Sequence, residues 1–169
     1  PAQIDTLSED LLRQAHAHAA ERNMPLQIHA AQSMNEFIEM VRRHGCTPIQ
    51  WMDRIGILDE RTIIGHGIFL DHHPWLHWSS RKDLDLIAER GATVAHCPTV
   101  FMRRGIALNT FGGYVKAGVN MGIGTDTYPH NILDEMRNAL TVARAVAGTV
   151  DDLNTSDIFE AATVGGAKA

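Results

Sequence analysis

Three features of the sequence predict an α/β fold with a parallel sheet and helices packed outside it. Four short apolar runs each end in a polar residue able to do chemistry: Leu26-Gln27-Ile28-His29, Thr62-Ile63-Ile64-Gly65-His66, Ala92-Thr93-Val94-Ala95-His96 and Val119 to Asp126. Runs of this kind read as buried parallel strands, and α/β folds place their chemistry at the carboxyl ends of such strands. Between the runs lie segments with helical periodicity, and Gly or Pro marks most of the joints.

Taken in order, Thr6-Leu7-Ser8-Glu9 has capping-box spacing. It predicts a helix to about Glu21 with Leu7, Leu11, Leu12, Ala15 and Ala19 on one face. Pro25 precedes the strand Leu26–Ala30. Ser33-Met34-Asn35-Glu36 is a second capping box, whose helix turns Phe37, Met40 and Val41 inward and stops at Gly45. Pro48 suits the first turn of a short helix through Trp51, Met52 and Ile55. Strand Thr62–His66 follows, then a loop from Gly67 to Ser80 holding Asp71, His72, His73, Trp75, His77 and Trp78. Loops this long are commonly functional.

Ser80 is expected to open a helix with Leu84, Ile87 and Ala88 inward, ended by Gly91. Strand Ala92–His96 runs into Cys97-Pro98 and a loop bearing Arg103 and Arg104. A helix from Leu108 to Ala117 is weakened by Gly112-Gly113. After strand Val119–Gly124, a strong helix from about Asn131 carries Ile132, Leu133, Met136, Leu140 and Ala143 inward. Thr155 or Ser156 caps the last helix. Four strand–helix units amount to half of an eight-stranded (β/α)8 barrel, whose open sheet edges other segments should cover.

At 169 residues the chain is long enough for one domain with a sizeable core. A net charge of −5 with scattered Lys and Arg excludes a nucleic-acid stripe. No apolar run approaches the ~18–20 residues a membrane span needs. Two cysteines, Cys46 and Cys97, form no metal-type pair, and their scarcity points to a reducing, cytoplasmic compartment. The chain begins at Pro1 and stops at Ala169 within an expected helix, which suggests one internal piece, residues 1–169, of a longer barrel.

Imidazole and carboxylate serve a borderline cation such as zinc well. The tips His29, His66, His96 and Asp126 recur about every 30 residues, one per strand–helix unit, and are expected to face one pocket. The more obvious pair, His16-Ala17-His18, is a decoy. Positions two apart diverge on a helix. His18 is expected beside the apolar face and His16 toward solvent.

The chain resembles the amidohydrolase superfamily, in the branch of the cytosine, guanine and adenosyl-type deaminases and the triazine chlorohydrolases. The resemblance rests on Gln27-Ile28-His29-Ala30-Ala31-Gln32, Ile64-Gly65-His66-Gly67, Val94-Ala95-His96-Cys97-Pro98-Thr99, Gly122-Ile123-Gly124-Thr125-Asp126 and the stretch Ala161 to Ala169. It implies a partial (β/α)8 TIM barrel, strands five to eight with their outer helices. It also implies one divalent metal, zinc or iron, with His29 and Asp126 as ligands. His66 and Asp126 would be the catalytic pair, His66 meeting the attacked centre and Asp126 taking the proton of a metal-activated water. Gln32, His66, His96 and Arg103 would bind a small heterocyclic substrate, with no nucleic acid or membrane as partner. A homo-oligomer is compatible with the sequence. The implied reaction is hydrolysis of a C–N or C–Cl bond.

Two positions depart from the family pattern. Gln32 stands where the deaminases usually carry Glu; an amide donates a hydrogen bond but cannot shuttle a proton. Val100-Phe101 replaces a common Ser-Asn. The family's other two metal ligands, a His-x-His on the first strand, are absent from the chain. The alternative is therefore a barrel that binds metal or ligand without turnover. His130 could face the pocket mouth, Trp75 and Trp78 could wall the pocket or cover the rim, Cys97 reads as buried and inert, and Glu135 as a helix-start contact.

Overall fold

The computed structural model describes residues 2–169. Its centre is a four-stranded sheet of β1 (Leu26–Ala30), β2 (Thr62–His66), β3 (Thr93–His96) and β4 (Asn120–Ile123), all parallel and in sequence order. Helices α1 (Glu9–Glu21), α2 (Met34–His44), α3 (Pro48–Arg54), α4 (Asp83–Arg90), α5 (Pro98–Met102), α6 (Phe111–Lys116), α7 (Ile132–Ala147) and α8 (Thr155–Glu160) alternate with the strands. A π-helical turn, Ala161–Gly165, leads into the short α9 (Gly166–Lys168).

The period-2 alternation of a strand sorts side chains between the two faces of this sheet. Leu26, Ile28, Ile64, Val94 and Met121 are buried in the main apolar core or on its side of the strands. Gln27, His29, Ile63, Gly65, Thr93, Ala95 and Gly122 line the other, concave face. Both edges gain company: Gln3 bridges in parallel to His29, and the π-helical turn lies against β4, where the Asn120 amide donates to the Gly165 carbonyl at 3.0 Å.

β1 and β2 have the expected bounds, while several helices begin elsewhere. Ser8, not Thr6, caps α1, because the Thr6 hydroxyl is spent on the Gln3 carbonyl. Leu11 stays 50% exposed while Leu12 is buried, so the apolar stripe of α1 is narrower than its spacing suggests. The two histidines of the decoy are reversed. His16 is half-buried and its Nε2 meets Asp59 Oδ2 at 2.9 Å, whereas His18 is exposed.

Ser80 does not open α4, since its hydroxyl donates to Asp71 Oδ2 at 2.6 Å; the helix starts at Asp83. The stretch after Cys97 is the helix α5 rather than loop, with Pro98 in its first turn. Asn131 caps α7, but Ile132 and Leu133 point outward and the buried residues are Glu135, Ala139 and Ala143. Asn154 caps α8 in a reciprocal box with Asp157. Among the described residues no helix is long and apolar enough to cross a membrane.

Candidate active site

The concave face holds a pocket of about 300 Å³ that runs from Gln27, Ile63 and Thr93 to the carboxyl ends of the strands, where His29, His66 and Asp126 line it. His29 gets there by strand parity, two residues beyond Gln27 on the same face. Gly65 of the neighbouring strand makes room for it: a Cβ there would come within 2.9 Å of His29 Cδ2. His66 has the opposite parity and reaches the pocket because its backbone turns into the left-handed region, φ 82°. Asp126 lies past the end of β4 and is also left-handed, φ 53°. Non-glycine residues pay a strain of about 1–3 kcal/mol in sparsely populated backbone regions, and such positions cluster at functional sites.

The imidazoles of His29 and His66 stack with centroids 5.2 Å apart and planes within 11°. His66 Nε2 lies 4.0 Å from Asp126 Oδ2. Burial pushes the His66 imidazole down to about 4, against the pull of Asp126 and with help from His29 and Arg104, so it is neutral at neutral pH. Among the described residues its Nδ1 is buried without a partner. His29 Nδ1 lies 3.1 Å from the Ala2 carbonyl, which fixes the proton on Nδ1 and leaves the Nε2 lone pair free.

The imidazole of His29 and the carboxylate of Asp126 are donors that suit zinc, and both line the one pocket. The residues therefore fit half of a zinc coordination sphere. Among the described residues there is no group of three or more candidate ligands.

The remaining expected site residues are placed differently. His96 follows Ala95 on the core side of the sheet, 3% exposed and 5.9 Å from the Phe111 ring. It does not line the pocket. Gln32 is half-buried just beyond the tip of β1 and also lies outside the lining. Arg103 is exposed and donates to the Tyr128 carbonyl at 2.9 Å, tying the α5 loop to the segment after Asp126. Trp78 packs edge-on against Phe37, 5.5 Å between centroids, and Trp75 against Phe69 and His73. His130 is exposed. Cys97 does line the pocket, with its thiol pushed up to about 12 by burial and by the nearby Asp126 and Glu135.

Sequence reasoning missed a set of buried carboxylates that grip the loops after the strands. Glu36, at the third position of α2, accepts from Ala31 N at 2.5 Å and Gln32 N at 3.2 Å. Asp83, at the first position of α4, accepts from Asp71 N at 2.9 Å. Glu135, near the start of α7, accepts from Thr99 N at 2.9 Å. Each acid holds backbone amides just past β1, β2 or β3. Only the acid in a helix's first turn is visible in sequence; the direction of its second oxygen is not.

Burial pushes Glu36 from 4.5 up to about 8, against the two amides that pull it down. Between those values the folded protein keeps a proton that the unfolded chain has lost. Stability therefore falls as pH rises through this window and levels off above it. Glu36→Gln cannot titrate. Urea unfolding is expected to show wild type losing roughly 2–4 kcal/mol relative to Glu36→Gln between about pH 5 and about pH 9. A difference that stays flat with pH would rule out a neutral Glu36.

Residues 5–169 match the profile of the Amidohydrolase family. The chain is 33% identical over 172 residues to the 5-methylthioadenosine/S-adenosylhomocysteine deaminase of Natronomonas pharaonis, covering 99% of this chain and 38% of that protein. It is 30% identical to the 5'-deoxyadenosine deaminase of Methanothermobacter thermautotrophicus, covering 97% of this chain and 37% of that one. The chain thus spans well under half the length of these relatives. Among solved structures, an adenosine deaminase from Xanthomonas campestris with bound zinc superposes with a TM-score of 0.86 at 27% identity, over 100% of this chain and 37% of that one. The atrazine chlorohydrolase TrzN of Arthrobacter aurescens, complexed with zinc, shares the fold with a TM-score of 0.80 at 21% identity, over 95% of this chain and 35% of its own.

Proposed function

The chain belongs to the amidohydrolase family, and we propose that residues 1–169 are strands five to eight, with their outer helices, of a (β/α)8 TIM barrel. In this reading β1 to β4 are those four strands, and the whole barrel is a metal-dependent hydrolase. It cleaves a C–N bond, or a C–Cl bond, of a small heterocycle. The observation that carries the reading is the convergence on one pocket of His29 from β1, His66 from β2 and Asp126 from beyond β4 of one parallel sheet. Two buried, unpaired thiols support a reducing cytoplasmic compartment.

His29 and Asp126 would hold a divalent cation, zinc or iron, which supplies a water acidified to near neutral pH. Asp126, which lines the pocket and is 37% exposed, would take up the proton at its carboxylate. His66, neutral and 5% exposed, polarises the attacked carbon's substituent from the adjacent strand. Gln32 lies beyond the pocket lining, and its amide, which cannot shuttle a proton, leaves the leaving-group proton to another residue. His96 and Arg103 support the substrate pocket from behind and from its lip. Gln32 also favours a second reading, a barrel that binds metal or ligand without turnover.

The test is release of ammonia or chloride by the intact protein across adenine nucleosides, pyrimidines and triazines. Turnover that stops on chelation and returns with zinc supports the hydrolase. Stoichiometric metal with no turnover on any of them supports the binding barrel, and no metal at all defeats the hydrolase and the metal-binding barrel alike.

A further inference from the structure

Glu36 does something other than close its own helix. Ser33 caps α2, accepting from Glu36 N at 3.1 Å. A capping box would send the Glu36 carboxylate back to the Ser33 amide. It reaches past Ser33 instead, to the amides of Ala31 and Gln32.

Ala31 is the unusual residue in this contact. It is fully buried and left-handed, φ 54°, a conformation that a residue with a Cβ adopts only when its surroundings enforce it. Its carbonyl accepts from both Ile68 N at 2.8 Å and Phe69 N at 2.7 Å, and the Ala30 carbonyl accepts from Gly67 N at 3.2 Å. Ala31 is thus a junction between two strand tips. Upstream by two residues is His29, and on the other side, one residue before Gly67, is His66. Glu36 holds the amide side of that junction and the loop after His66 holds the carbonyl side.

We propose that Glu36 is a positioning residue that locks Ala31 in its left-handed conformation and thereby sets the spacing and stacking of His29 and His66. The alternative is a carboxylate that only stabilises α2. The inference rests on the functional reading in treating those two histidines as the working pair. Residues that orient a metal's ligands from behind typically change metal affinity by ~10–100-fold when removed.

The experiment uses the intact protein in four forms: wild type, Glu36→Ala, Glu36→Gln and the double variant Glu36→Ala with Ala31→Gly. The first readout is the imidazole ¹H–¹⁵N spectrum of the metal-free protein. The second is the affinity and visible absorption of added Co²⁺. The third is kcat and KM. Glu36→Ala is expected to shift the His29 and His66 imidazole resonances, weaken Co²⁺ binding about tenfold or more, and lower kcat more than KM. Glu36→Gln, which keeps an acceptor for Ala31, should stay near wild type. Glycine accepts a positive φ without enforcement, so the double variant should recover part of the Co²⁺ affinity that Glu36→Ala loses.

Should Glu36→Ala not fold, Glu36→Asp is read in its place, one methylene short of the Ala31 amide. Imidazole resonances unchanged in the folded variant would overturn the proposal, even if its melting temperature drops. Equal loss in Glu36→Ala and in the double variant would do so as well. If wild type binds no Co²⁺, the metal reading fails, yet the metal-free imidazole spectra still decide the role of Glu36.

Discussion

Asp126→Asn is expected to abolish turnover by the intact protein and to strip most of its metal, while leaving its fold and melting temperature nearly unchanged. The substitution removes a negative charge and a proton acceptor but preserves shape. It also preserves backbone comfort. Asp126 sits at φ 53°, and asparagine tolerates that region at least as well as aspartate. The side chain is 37% exposed and, among the described residues, makes no hydrogen bond, lying 4.0 Å from His66 Nε2, so little packing is lost. On the proposed function, in which Asp126 is both general base and ligand, the substitution should lower kcat by about 10³-fold or more. Metal analysis beside steady-state kinetics checks this. Full metal content with a rate within tenfold of wild type would remove Asp126 from the site.

Gly165→Ala is expected to be among the most destabilising single methyls in the chain. Gly165 lies in the π-helical turn pressed onto β4, and a Cβ there would overlap the Met121 carbonyl oxygen and crowd the Glu160 carbonyl. Both obstacles are backbone, so neither can swing aside. Either the turn lifts from the sheet or β4 bends, and overpacking of this kind costs about 3 kcal/mol or more. The neighbouring Gly166 is the control. Its backbone is helical, φ −65°, and a Cβ would meet nothing nearer than the Ala161 carbonyl at 4.0 Å. Gly166→Ala should be neutral or stabilising by ~0.5–1 kcal/mol. Urea denaturation of the pair reads the contrast directly, and equal stability of the two would refute the close-packing account.

Much of this was legible in the sequence. The strands at 26–30 and 62–66 announced themselves because an apolar run between a proline or charged turn and a terminal histidine leaves little choice of register. Parity alone separates His29, which shares a face with Gln27, from His96, which does not share one with Ala95. Applied strictly, however, it would have discarded His66. What rescues His66 is a left-handed backbone at a non-glycine position, which no residue type advertises. Helix starts were harder because Thr6 and Ser80 had stronger partners than their own helices, in the Gln3 carbonyl and the Asp71 carboxylate. Ile132 and Leu133 fit an inward stripe on paper, yet Glu135 took the buried position because it holds Thr99. The five-residue α5 carries too few residues to show a period.

The strand order has a consequence for how the protein is made. Each strand pairs with the one synthesised immediately before it, so the sheet grows at a single moving edge as the chain leaves the ribosome. A unit emerging at ~5–20 residues per second finds its docking surface already built, with no wait for a distant segment. Pairing partners only about 30 residues apart keep loop-closure costs low. The exposed edge at any moment belongs to the newest strand, and for β4 the turn at 161–165 arrives about 40 residues later to shield it. Substitutions that slow the seating of that turn, such as one at Gly165, should therefore show first as aggregation during synthesis.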